Sequence, residues 1–289
     1  MLSKYLSLVK FSHTIFGLPF ALIGFALAVI DAQQPFSVKL FLLMLVCMVT
    51  ARNAAMAFNR YLDRKFDALN PRTAIREIPA GKISPQGALT FVIVNSILFI
   101  AATFFINQLC FYLSPIALFV VLFYSYTKRI TPLCHLVLGV GLGLAPIGAY
   151  LAVTGAFSIV PVLFSFTVFT WVSGFDIIYA LQDEDFDRGA NLHSIPQALG
   201  PVGALRVSTL LHIISAILVI TAGYYLHTQD KINVLVYGIG TLVFVGCLIY
   251  QHSLVKPHDL SKVGVAFGTT NGVASLIFAI FAIGSLLLH

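Results

Sequence analysis

The chain has 289 residues, 59% of them hydrophobic and only 10% charged, and its mean hydropathy is +0.95. A soluble globular domain carries about 25% charged residues, so the composition excludes one and points to an integral membrane protein. The formal charge of +6 is scattered over short loops and forms no basic domain, which leaves no place for a nucleic-acid partner.

The first thirteen residues, MLSKYLSLVKFSH, lead straight into an apolar stretch. They lack a small-residue cleavage site and an Arg/Ser-rich character, so neither a signal peptide nor a transit peptide is expected. Nine apolar spans follow, at roughly 11–30, 38–58, 86–106, 111–127, 133–153, 159–180, 203–226, 232–251 and 263–288. Most approach the roughly 20 residues a helix needs to cross a bilayer. The expected fold is therefore all-α, a single polytopic bundle of nine transmembrane helices over residues 1–289 in a lipid bilayer. His13, at the inner end of span one, reads as an interfacial structural residue more readily than as a ligand.

Span two runs into the first charged segment, ARNAAMAFNRYLDRKFDALNPRTAIREIPAGK, residues 51–82. Asn59, Asp63 and Asp67 are four apart, which on a helix puts three oxygen-bearing side chains on one face. Arg52 lies two turns back on that face. Arg72, Arg76 and Lys82 follow among Pro71, Pro79 and Gly81, residues that end helices and shape loops. Spans three and four flank a short outer turn at Asn107-Gln108 and return the chain to Lys128 and Arg129, which read either as topology signals or as phosphate contacts. Span five is dense in glycine (Gly139, Gly141, Gly143, Gly148), the mark of close helix packing.

Span six runs into the second charged segment, from Asp176 to Arg188. There Tyr179, Asp183 and Asp187 repeat the four-residue spacing, each 120 positions after its counterpart, which suggests two related halves. In span nine, Asn271 reads as a residue hydrogen-bonding across helices. Cys47, Cys110, Cys134 and Cys247 are scattered singly, so no disulfide framework or thiolate metal site is expected.

Lys and Arg set the orientation. With nine spans, fourteen of the seventeen basic residues fall on the side that holds both charged segments, Lys39 and Lys231 on the other, and Arg52 within span two. By the positive-inside rule the motif side faces the cytoplasm.

Seven of the eleven acids crowd into the two charged segments, read as loops, with Asp176 just before the second. Carboxylates so close repel one another unless a cation intervenes. Hard oxygen ligands in pairs suit Mg²⁺, which keeps several waters and bridges one or two carboxylates to substrate phosphates. Two acidic sites, nearby Arg and Lys, and an apolar interior fit a substrate with a polyanionic head and a long apolar tail, such as a polyprenyl diphosphate. Neutralising the diphosphate makes it a better leaving group, and the apolar surroundings keep water from the allylic cation it leaves. A divalent-cation transporter is the alternative from another class, but carriers place acids near the midplane and here all but Asp176 lie at one face.

The pattern N-x-x-x-D-x-x-x-D at Asn59, Asp63 and Asp67, followed by N-P-R-T-x-x-R-x-I-P-x-G-K, together with D-x-x-Y-A-x-x-D-x-D-x-D from Asp176 to Asp187, resembles the UbiA superfamily of membrane prenyltransferases. The resemblance implies nine helices around a central cavity with both motifs at its cytoplasmic mouth. It further implies Mg²⁺ and diphosphate binding by Asn59, Asp63, Asp67, Asp183 and Asp187, aided by Arg72, Lys128 and Arg129. Asp176 and Tyr179, deeper on the face of Asp183, would border the reacting centre. One departure is Arg60, which follows Asn59 where many members carry an acid. The first segment is most similar to the bacterial 4-hydroxybenzoate polyprenyltransferase branch, which includes menaquinone-pathway members. That implies prenylation of an aromatic acid in ubiquinone or menaquinone biosynthesis, in a bacterial inner membrane; a tetrapyrrole prenyltransferase is the alternative within the superfamily. Arg52, costly in a membrane without an anionic partner, is expected to hold the acceptor carboxylate or to pair with Asp176.

Overall fold

The computed structural model describes residues 2–9 and 16–289, so His13 and Lys10 lie outside the described residues. The described chain is helical, with one isolated bridge between Lys256 and Asp259 and no strand. The helices are α1 (Leu2–Leu8), α2 (Leu18–Asp31), α3 (Val38–Leu69), α4 (Pro85–Phe104), α5 (Gln108–Thr127), α6 (Cys134–Thr154), α7 (Ile159–Ala180), α8 (Glu184–Gly189), α9 (Ile195–Thr228), α10 (Val234–Leu254) and α11 (Asn271–Leu287). Eight helices are long and apolar enough to cross a membrane; α2, also apolar, has 14 described residues. Nine apolar helices are thus present among the described residues, as the spans predict.

Polar caps set several of the starts. Ser37, Ser84, Asn107, Ser194 and Asn233 each accept a hydrogen bond from the backbone N–H three residues on, which satisfies a donor that the first helical turn leaves open. Pro85 and Pro196 follow two of these caps, where a missing N–H costs nothing.

Three elements differ from the sequence reading. The helix of span two does not stop at residue 58: α3 continues for 32 residues to Leu69, about 48 Å at 1.5 Å per residue. Asp63 and Asp67 therefore stand on the last turns of a helix, not on a loop. The second segment is broken where the first is continuous, since α7 tightens into a 3₁₀ turn at Leu181–Asp183 before α8. Equal spacing in sequence gives unequal backbones. Span seven begins earlier than expected, because Ile195 to Leu199 joins it across a kink at Gly200 (φ 68°, ψ 174°), followed by Pro201. That backbone conformation is open to glycine almost alone.

Helices α2, α6, α7, α9, α10 and α11 pack in sequence around a closed circuit, and α3, α4 and α5 join it through α6 and through the contact of α3 with α2 at Phe25 and Phe41. The circuit encloses the main core, where Phe20, Trp171, Phe244 and Phe278 meet ring to ring. The glycine stripe of α6 serves packing, as expected: a Cβ on Gly139 would stand 2.2 Å from Ser173 Oγ and 2.5 Å from the Phe169 carbonyl on α7. Trp171 Nε1 donates to Asn271 Oδ1 at 2.9 Å, the cross-helix bond anticipated for Asn271. All four cysteines are free and half-buried.

Candidate active site

The two acidic segments meet at one end of the bundle, and what joins them is the loop after α3. Asn70 caps the end of α3. Its side chain donates to Asp183 Oδ1 at 3.1 Å. Arg72 closes on the same carboxylate with two donors, Nε at 3.0 Å from Oδ1 and the second from Nη2 to Oδ2, and its Nη1 donates to Tyr179 Oη at 3.1 Å. Burial works against the Arg72 charge, but its bonds to Asp183 and Tyr179 outweigh that and raise its pKa. A planar guanidinium holding a carboxylate at two points fixes direction as well as charge.

Asp63 is 2% exposed, and an ion so buried persists only if compensated. Arg129 Nη2 reaches Oδ1 at 2.8 Å, Lys128 Nζ reaches Oδ2 at 2.9 Å, and Asn59 Nδ2 donates to Oδ2 at 3.3 Å. Arg129 also donates to the Leu62 and Ser125 carbonyls, so it ties α5 to α3. Asp67, 5% exposed, takes Arg76 Nη1 on Oδ1 at 2.6 Å, while its Oδ2 is buried without a hydrogen-bond partner. Asp187 lies within electrostatic reach of the Ser194 hydroxyl, Lys128, Asp183 and His135.

Deeper in the bundle, Asp176 pairs with His135, Nδ1 to Oδ2 at 2.7 Å. The anticipated alternative of an Arg52–Asp176 ion pair is thus replaced by one with a residue of α6. Arg52 is half-buried on α3. Tyr179 is held between the Arg72 guanidinium, 5.4 Å from its ring, and Phe267, whose ring centroid is 4.2 Å away.

The structure therefore gathers Asn59, Asp63, Asp67, Arg72, Lys128, Arg129, Tyr179 and Asp183 at one end of the bundle in three ion-paired groups, with Asp187 within electrostatic reach of Lys128 and Asp183. Asn70 and Arg76 join them, and His135 stands deeper on Asp176; none of the three was assigned a role. A signal for His135 was present: an imidazole six residues after Arg129, at the start of an apolar span, has no reason to be there for packing alone.

Among the described residues no three His, Cys, Asp or Glu side chains cluster closely enough to cage a metal. Asp63, Asp67 and Asp183 are held apart, each against its own Lys or Arg. That donor set fits Mg²⁺, which needs only one or two carboxylates and completes its shell with water and phosphate oxygens. The unpartnered Oδ2 of Asp67 is an oxygen of the kind such an ion takes up.

The described helices thus form a multi-pass bundle of the membrane-enzyme class with paired acids and cations gathered at one end. Residues 17–281 match the UbiA prenyltransferase family, and the chain belongs to it. A 4-hydroxybenzoate octaprenyltransferase of Tolumonas auensis is 30% identical over 250 residues, covering 84% of this chain and 83% of that one. One of Aeromonas salmonicida is 28% identical over 82% of this chain and 80% of its own. Among solved structures, an apo UbiA homologue from Aeropyrum pernix K1 superposes with a TM-score of 0.78 at 32% identity, covering 96% of this chain and 97% of that one. A UbiA homologue from Archaeoglobus fulgidus bound to DMAPP and Mg²⁺ shares the fold, with a TM-score of 0.77 at 19% identity over 99% of this chain and the whole of that one. The chain is a membrane prenyltransferase.

Proposed function

We propose that this enzyme transfers a polyprenyl group from a polyprenyl diphosphate to an aromatic acid, 4-hydroxybenzoate or a dihydroxynaphthoate, in ubiquinone or menaquinone biosynthesis. The observation that carries the reading is the mouth itself: Asp63, Asp67 and Asp183 each sit against a Lys or Arg from outside their own helical turn. Such a site carries both signs of charge, as a diphosphate with its counter-ion requires, whereas a cation path needs acids without guanidinium partners. Asn59, Asp63, Asp67, Asp183 and Asp187 would hold Mg²⁺, which supplies charge neutralisation of the diphosphate when bound. Arg72, Lys128 and Arg129 contact the phosphate oxygens and stabilise the leaving group. Tyr179 and Asp176 border the allylic carbon. Arg52, half-buried two turns below Asn59, takes the acceptor carboxylate and turns the ring carbon toward the cation. The site opens to the cytoplasmic face of a bacterial plasma membrane.

The test is a membrane-extract assay with a prenyl diphosphate, Mg²⁺ and, separately, 4-hydroxybenzoate and 1,4-dihydroxy-6-naphthoate. Product with one acceptor, lost on adding EDTA and in Asp63→Ala and Asp183→Ala, is the expected result and names the quinone. No product with either acceptor overturns the acceptor assignment; product surviving both substitutions overturns the two-motif site.

A further inference from the structure

Prenylation of an aromatic ring releases a proton, and the acids at the mouth are poorly disposed to take it. Asp63, Asp67 and Asp183 are each ion-paired to Lys or Arg, which leaves Asp176 and Asp187, and of these only Asp176 lies on the long apolar helix α7, Asp187 being on the short α8 beyond it. Asp176 differs. Its Oδ2 is held by His135 at 2.7 Å, while its Oδ1 makes no hydrogen bond among the described residues, and the side chain is 23% exposed against 5% for His135.

His135 is the second residue of α6, and its ring is walled in. Nε2 is buried without a hydrogen-bond partner, and Cys134 lies beside the ring. A carboxylate can only accept, so Nδ1–H donates to Oδ2 whatever the charge on the ring. A rigid buried donor on one oxygen fixes the rotamer of Asp176 and turns the other oxygen outward. Tyr124 of α5 lies within electrostatic reach of both Asp176 and Asp63, and Asp187 within reach of His135. The pair is therefore adjacent to the mouth network without being bound into it.

We propose that Asp176 Oδ1 accepts the ring proton and that His135 is the residue that positions it. The C–O bond to the diphosphate breaks and its electron pair leaves with the diphosphate. A π pair of the acceptor ring forms the new C–C bond. The C–H pair at that carbon then returns to the ring, and the proton passes to Asp176 Oδ1. This rests on the reading above that the acceptor is aromatic.

The experiment uses the full-length enzyme in detergent or membranes, with the acceptor the wild type turns over and the same acceptor deuterated at the reacting carbon. His135→Leu removes the donor; His135→Gln keeps one. The leucine variant is expected to lose about tenfold to a hundredfold in kcat, the scale of a misplaced general base, with both KM values unchanged. A primary isotope effect should appear that the wild type lacks, because proton removal has become limiting. The glutamine variant should recover most of kcat. In an Asp176→Asn background, His135→Leu should cost nothing further. His135→Asn, polar but too short to reach, gives the same reading should the leucine variant fail to accumulate. A leucine variant with wild-type kcat, or one slowed with raised KM values and no isotope effect, overturns the proposal. A wild type that prenylates neither acid fails the aromatic reading before any variant is compared.

Discussion

Asp63 shows how far a residue can be read alone. Its place on one face with Asn59 and Asp67 follows from the four-residue spacing, which α3 preserves because the helix runs on unbroken. Its partners do not follow, since Arg129 lies 66 positions away, and Arg72 and Asp183 are 111 apart. Contacts at such separations are set by how helices pack, and no local pattern encodes them. The pairings carry a prediction. Removing one member of a buried ion pair leaves an uncompensated charge, at a cost of about 3–5 kcal/mol. Asp63→Ala, which strands Lys128 and Arg129, should therefore lower the thermal midpoint in detergent as well as abolish turnover. Asp63→Asn, which keeps hydrogen-bonding capacity, should retain more of the midpoint while losing at least about a hundredfold in activity. Equal midpoints for the two variants would show that the cations are satisfied elsewhere. For Arg52 the expected effect lies in binding: loss of a charge-assisted bond worth about 1.5–3 kcal/mol should raise the KM of the aromatic acid at least about tenfold in Arg52→Ala and leave that of the prenyl diphosphate unchanged. An unchanged acceptor KM with poor expression would make Arg52 structural.

Among the elements, apolar runs and caps mark where helices exist, but not where they deform. The first turns of span nine form a π-helix, Val265–Thr270, before α11. It is sustained by side chains: Asn271 Nδ2 donates to the Ala266 and Phe267 carbonyls at 3.1 and 2.9 Å, and Gln251 Nε2 donates to that of Ala266 at 3.0 Å. Asn271 in turn accepts from Trp171. Nothing in the sequence around Phe267 signals this, because the stabilising groups come from α7 and α10 as well as from α11 itself. π-Turns recur at functional sites, and this one puts Phe267 against Tyr179. Asn271→Leu should orphan the Trp171 N–H and release the widened turn. The expected cost is about 1–3 kcal/mol for the buried donor, read as a lower thermal midpoint, together with a fall in kcat as Phe267 leaves the Tyr179 ring. A variant with a lowered midpoint and wild-type kcat would separate the turn from the chemistry.

At the scale of the whole molecule, length and hydropathy are enough to read an all-α membrane bundle, because these are properties the bilayer imposes on any chain, and the distribution of Lys and Arg makes the motif side the expected cytoplasmic one. The structure adds a consistent distribution of polar clusters. Lys128, Arg129, Arg72, Arg76 and the acids they pair with gather at one end. The opposite end holds a separate small cluster, where Lys231 Nζ lies 2.6 Å from Asp31 Oδ1 and Tyr150 Oη donates to Asp31 Oδ2 at 2.8 Å. Each basic side chain left on the cytoplasmic side opposes translocation of its loop, whereas Lys231 faces the other way already neutralised by Asp31. Nine crossings with the motif side cytoplasmic would put the chain's two ends on opposite sides, with the C-terminus outside. Alkaline phosphatase fused after His289 in a bacterial host should therefore be active and green fluorescent protein fused there dark, with the reverse for fusions in the loop between α3 and α4. A fluorescent C-terminal fusion would mean that the whole bundle is inverted or that a helix after α3 does not cross, whereas failure of α2, with only 14 described residues, to cross would leave the C-terminus outside. The acidic mouth, which follows α3 in the chain, would keep its side while the N-terminus changed.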